Sequence, residues 1–256
     1  MVLFSPQLHK VETRLIENTS KTKKLFPEET NLIEYGLALM WNLDSVVNEA
    51  KKDLETKPNV YANTNLFGRN REPLLNAYFC MLTSNYGTQS VILRTVLENN
   101  NLMRLFNKEP RNAYEWLPKE KQAGFLEEVQ RKYAGSAEKK KFGASCVRNA
   151  IFDEKKAGVK QTVIEIYDSL CDYTHPNFIG WQEIMGSKGN EEVLLDLPTL
   201  TGYNTEESMK IMLYMIQLSF KTFYDTFKGY ITGYEDKLTT WQNEFHRIFE
   251  RYIEED

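Results

Sequence analysis

The chain has 256 residues, 41% of them hydrophobic and 27% charged. That is globular composition with ample length for a buried core, and it excludes a disordered polyelectrolyte. The 32 basic and 36 acidic side chains leave a net charge of -4, so no global charge calls for nucleic acid.

The cysteines Cys80, Cys146 and Cys171 are odd in number, widely spaced and without a CxxC. This argues against a disulfide framework or zinc knuckle and for a reducing compartment, the cytoplasm. The start, Met1 to Pro6, is too short for a signal segment, and no apolar run approaches the roughly 20 residues of a spanning helix. No membrane association is expected.

In chain order, a first helix is predicted from Ser5 to Asn18, with Ser5 as cap and Pro6 at its first position. The lysine-rich 21–24 segment then links to Pro27. A long amphipathic helix follows to Thr56, its apolar stripe running through Leu32, Ile33, Leu37, Met40, Leu43, Val46 and Ala50. Pro58 is expected to end it, and the Asn- and Gly-rich stretch 59–71 reads as a loop. The next helix is predicted from Pro73 to Asn107. Two polar residues, Asn85 and Gln89, interrupt its inner face, and Arg94 and Glu98 lie one turn apart beside it. Polar groups so placed need partners.

Residues 109–160 read as a helical basic subdomain set into the bundle. Positions 119–160 hold eleven Lys or Arg against six Asp or Glu, with Lys139, Lys140 and Lys141 the densest run. A short apolar helix, 163–171, ends near His175-Pro176, because a residue before proline disfavours the α region. The stretch 179–197 reads as a β-hairpin. Two further helices carry the stripes Met209, Met212, Leu213, Ile216, Phe220, Phe223, Phe227 and Leu238, Trp241, Phe245, Ile248. The expected fold is all-α, a single domain over 1–256 built as an antiparallel helical bundle with the helical basic insertion and one small hairpin.

Candidate chemistry gathers near His175. Of the three histidines, His9 and His246 sit on amphipathic helices near the chain ends, whereas His175 has Asp168, Ser169, Asp172 and Tyr173 within two turns. Asp172 and His175 are three apart and share a helix face, and such a carboxylate orients an imidazole for acid–base work. The bland reading is a histidine fitting the C-terminal dipole of its helix. Arg94, near a buried stripe, needs an anionic partner, for which Asp172 or a phosphate is suitable. Asp172-x-x-His175 is only half of a ferritin-like metal motif, and no P-loop, GxGxxG, HExxH or GxSxG occurs. Neither metal nor cofactor is expected.

The segment Ser90–Glu98 resembles the RxxxE helix of several prokaryotic helical families, and Tyr167–Pro176 is similar to their YxxLSxxxHP helix end. Those families are grouped with the HEPN-like superfamily. The resemblance implies a helical bundle that forms a homodimer, acting either as a metal-independent ribonuclease or as a non-catalytic binding module in prokaryotic defence or stress systems. The ribonuclease signature is an arginine, then four to six residues, then the histidine, and the positions at those spacings before His175 are Asp168, Ser169 and Leu170, none of them arginine. An active site would take its cation from Arg94 on another helix. In that reading His175 is the acid or base, Arg94 stabilises phosphorane charge, and Asp172 and Glu98 orient the two. Lys139, Lys140 and Lys141, with Tyr173 and Ser169, would bind RNA. Against it stand a helical interaction or regulatory protein whose Arg94–Glu98–Asp172–His175 cluster is structural, and a small-molecule or peptide binder with a pocket beside the basic segment.

Overall fold

A computed structural model describes residues 6–133, 142–143, 146–147, 150, 165–168, 170 and 202–254. Among them there is no strand, and helices account for nearly all. The hairpin expected at 179–197 lies outside the described residues.

The helices are α1 (Pro6–Leu25), α2 (Pro27–Asn42), α3 (Asp44–Glu49), a 3-10 turn (Ala50–Asp53), α4 (Pro58–Leu82), α5 (Tyr86–Lys108), α6 (Pro110–Trp116), α7 (Lys119–Gln122), α8 (Glu127–Tyr133), α9 (Gly202–Phe227) and α10 (Glu235–Glu254). No helix is long and apolar enough to cross a membrane, among the described residues.

Several boundaries differ from the sequence reading. Lysines 21–24 continue α1 instead of linking it to Pro27. The expected 27–56 helix is distorted at Leu43, yet Leu43 N–H bonds Leu39 O and Val47 N–H bonds Leu43 O, both at 3.2 Å. Its apolar stripe therefore carries on through Leu43, Val46 and Ala50, all buried. Pro58 does not end a helix but opens α4, where its missing N–H costs nothing. The predicted loop 59–71 is the first half of that helix, and Pro73 lies inside it. The burial of Val60, Leu66, Phe67, Leu74 and Ala77 on one face offsets the poor helix propensity of its Asn and Gly residues.

The break between α4 and α5 is a Schellman turn. Asn85 N–H bonds Cys80 O at 2.8 Å and Ser84 N–H bonds Met81 O at 3.0 Å. Ser84 takes the left-handed position, φ 63°, that glycine usually fills. Asn85 is not an inner-face residue. It is exposed and caps α5, its side chain accepting from Thr88 N at 3.4 Å.

α4 and α5 run antiparallel, with Asn70 beside Asn100 and Asn63 beside Asn107. The antiparallel reading does not extend to α5 and α9. Tyr86 meets Thr205, Gln89 meets Ser208, Asn100 meets Ser219 and Asn107 meets Thr226, each pair 119 residues apart. A constant offset along both helices means that they run in the same direction, in register. The facing rows, Tyr86, Gln89, Leu93, Val96, Asn100, Met103, Asn107 and Thr205, Ser208, Met212, Met215, Ser219, Thr222, Thr226, advance in steps of three and four, as in a parallel coiled coil.

Most of that seam is apolar at its centre and polar toward its ends. Gln89 Nε2 donates to Ser208 O at 3.2 Å, and the hydroxyls of Tyr86 and Thr205 lie 2.5 Å apart. At the other end Asn100 accepts from Asn70 and Thr222 at 3.1 Å each and donates to Ser219 at 2.9 Å. Asn63 joins Asn107 at 2.8 Å and Thr226 at 2.9 Å.

The aromatic core flanks this seam. Phe67 and Phe223 rings are 4.4 Å apart, Phe223 and Phe227 4.5 Å, and Phe220 and Trp241 4.9 Å. Trp241 Nε1 donates to Leu32 O at 2.9 Å and passes so close to Gly36 that an added Cβ would lie 2.6 Å from it. Residues of the basic middle segment share the same buried cluster: Ala113, Tyr114, Leu117, Phe125, Val129 and Val147.

Candidate functional site

Arg94 projects from the middle of α5, one helical turn before Glu98. The pair sits at the edge of the face whose Leu93, Val96 and Leu97 are buried. Arg94 Nε donates to Glu98 Oε1 at 3.1 Å, an (i, i+4) ion pair with the two side chains 25% and 37% exposed. An (i, i+4) pair this open to solvent is worth about 0–1 kcal/mol by itself.

The third member is Tyr167, in the helical stretch 165–168. Arg94 Nη2 donates to the Tyr167 hydroxyl at 3.1 Å, and that hydroxyl donates to Glu98 Oε1 at 3.3 Å. The guanidinium carbon also stands 5.3 Å from the ring centroid, so charge, hydrogen bonding and cation–π attraction act on one side chain. Three residues on, Leu170 is fully buried in the main core, and Ile166 and Tyr167 pack against that core. The short helix is thus held on α5 by an apolar anchor and a polar one.

This geometry unites two of the predicted site residues, Arg94 and Glu98, with each other and with Tyr167. The others, Ser169, Asp172, Tyr173 and His175, and the lysines Lys139, Lys140 and Lys141, lie outside the described residues. Tyr167 was not singled out as a site residue. Its signal was its place one turn before Leu170 on a short apolar helix, with a hydroxyl able to satisfy a half-buried guanidinium.

The two remaining histidines are exposed: His9 stands 3.9 Å from Glu12, and His246 lies against Phe245. Cys80 and Cys146 are free thiols, and burial pushes the Cys80 thiol up from its ordinary value. No group of three or more His, Cys, Asp or Glu side chains with the proximity a metal needs occurs among the described residues.

A pocket of about 490 Å3 opens between α5, α6 and the middle segment, lined by Leu105, Lys108, Glu109, Asn112, Phe142 and Val147. Lys108 Nζ donates to Ala150 O at 3.0 Å across one side of it. The pocket's α5 residues, Leu105 and Lys108, lie about three to four helical turns beyond Arg94. Comparison with family models, with curated proteins and with solved structures gives no match for this chain.

Proposed function

We propose that this chain is a non-catalytic helical interaction module of HEPN-like type, a regulatory homodimer in which the Arg94 cluster is a latch and not a catalytic centre. The observation that carries the reading is the engagement of Arg94. Its guanidinium is bound to a carboxylate and a phenol and stacked on a ring. A cation that stabilises a phosphorane must be preorganised toward the developing charge of the substrate. Arg94 is instead preorganised toward Glu98 and Tyr167, and a phosphate would have to displace a carboxylate already in place.

The latch has a structural task that suits a regulatory module. It ties Tyr167, and with it residues 165–168, to α5. In the ribonuclease reading the same residues act on RNA, with His175 as the acid or base. The test is incubation of the purified full chain with single-stranded and structured RNA, alongside thermal melts of Arg94→Ala and His175→Ala. The module reading expects intact RNA and a lowered Tm for Arg94→Ala. RNA cleavage lost in His175→Ala at unchanged Tm would replace it with the enzymatic one.

A further inference from the structure

α5 and α9 pair in one direction at a constant offset of 119 residues. Their connection does not choose that offset. It runs over 109–201, and the entropy of closing so long a loop hardly changes when its ends shift by a few residues. The contact between the helices has to select the register.

The apolar face of α9 does not select it. Met209, Ile216, Phe223 and Tyr230 are spaced by one heptad, and so are Leu213, Phe220 and Phe227. A slide of α9 by one heptad therefore puts one apolar or aromatic side chain in the place of another. The Phe67 ring, now against Phe223, would meet Ile216 or Tyr230. Trp241, now against Phe220, would meet Leu213 or Phe227. The replacements differ in size but not in kind. The turn 228–234 permits the slide with Trp241 still on Leu32 and Gly36. Its chain reaches roughly 20 Å, whereas a heptad of helix is about 10 Å.

The seam rows do distinguish the registers. On α5, Tyr86 and Gln89 are polar, Leu93 and Val96 apolar, and Asn100 polar. On α9, Thr205 and Ser208 are polar, Met212 and Met215 apolar, and Ser219 and Thr222 polar. Like faces like in the observed register. The exception is Met103 opposite Thr222, whose hydroxyl turns instead to Asn100 Oδ1 at 3.1 Å. A slide one way sets Asn100 against Met212, and Thr205 and Ser208 against Leu93 and Val96. The other way sets Gln89 against Met215, and Ser219 and Thr222 against Leu93 and Val96. These polar side chains are buried, so water cannot replace the partners they would lose.

We infer that the buried polar seam is a register lock, which selects the observed pairing of α5 and α9 over pairings shifted by one heptad. A buried asparagine does this in coiled coils, where it fixes register at some loss of stability. Here the lock has two layers, Gln89 with Ser208 and Asn100 with Asn70, Ser219 and Thr222. It makes no use of Arg94, so it stands or falls apart from the RNA question.

The test is pulsed electron double resonance between spin labels at Val91 and Tyr224, both exposed, with Cys80, Cys146 and Cys171 replaced by Ala. The seam is erased by Gln89→Leu, Ser208→Ala, Asn70→Ala, Asn100→Leu, Ser219→Ala and Thr222→Val, which strand no buried donor of either layer. With the native seam the lock predicts one distance. With the erased seam it predicts a folded chain and a second distance, several ångströms away from the first. A single unchanged distance would overturn the lock. If the erased seam does not fold, Met212→Thr, Met215→Ser, Ser219→Met and Thr222→Met decide, because they move the polar pattern of α9 by one heptad. The lock then predicts labels several ångströms closer, as α9 follows its polar residues back along α5. Labels at the native distance, or a chain that again does not fold, contradict the inference.

Discussion

The Arg94 guanidinium on α5 donates at 3.1 Å to the hydroxyl of Tyr167, 73 residues further along the chain, and stacks on the ring that bears it. Two changes separate those contributions. Tyr167→Phe keeps the stack and removes the hydroxyl from both Arg94 and Glu98, and should cost about 0.5–1.5 kcal/mol. Arg94→Ala removes all three interactions and should cost about 1–3 kcal/mol. Arg94→Lys should recover only part of this, because an ammonium cannot reproduce the planar fork. Urea denaturation of the four proteins measures the series, and equal loss in Tyr167→Phe and Arg94→Ala would mean that neither the ring stack nor the Glu98 ion pair adds net stability.

Asn100 on α5 joins α4 to α9 through three side-chain hydrogen bonds. Asn100→Ala leaves Asn70, Ser219 and Thr222 short of a buried partner and should destabilise by about 2–4 kcal/mol. Ser219→Ala should cost less, since its hydroxyl also has Met215 O at 2.9 Å. A double-mutant cycle should return a coupling above about 0.5 kcal/mol. Additive losses would show that the bond between them carries no energy of its own.

Ser84 is the position where stability can be raised. It holds a left-handed backbone at φ 63°, and its buried hydroxyl has no hydrogen-bond partner. Ser84→Gly relieves both and should add about 1 kcal/mol or more, read as a higher midpoint in urea. A lower midpoint would mean that the serine side chain packs too well to lose.

The Glu34–Tyr78–Lys23 group sets a pH window. Hydrogen bonds from Lys23 and then Tyr78 hold the Glu34 carboxyl below the usual glutamate range. A depressed folded pKa means stability that is present above the unfolded value and lost as pH falls through the folded one. Burial first, and Glu34 second, push the Tyr78 phenol well above its ordinary value. A raised folded pKa means stability present below the unfolded value and lost as pH rises beyond it. Tyr78→Phe should therefore flatten the alkaline arm of the stability profile and weaken the acid arm. An unchanged profile would contradict the coupling.

Much of the helical content was legible because burial follows spacing. Met209, Met212, Leu213, Ile216, Phe223 and Phe227, marked by their steps of three and four, are all fully buried. The segment 59–71 was not legible, because its Asn and Gly residues signal a turn locally while Leu66 and Phe67 bury against α9 only in the folded chain. The same-direction pairing of α5 and α9 was not legible either. Gln89 stood out as a polar interruption, but its partner, Ser208, is 119 residues away and lies on a helix whose marked stripe was apolar. Of the candidate site, the Arg94–Glu98 pair could be read from its spacing. The short apolar helix that carries Tyr167 could be read too, but its pairing could not, since nothing local tells a tyrosine which distant cation it will meet.

We propose that Arg94 serves the fold and not a reaction. The most direct measurement is RNA cleavage and Tm determined together on wild type, Arg94→Ala and His175→Ala. If Arg94 is a latch, none of the three cleaves RNA, and Arg94→Ala melts several degrees lower, as about 1–3 kcal/mol implies for a chain of this size. Cleavage by the wild type that disappears in both variants, with their Tm values unchanged, would contradict it.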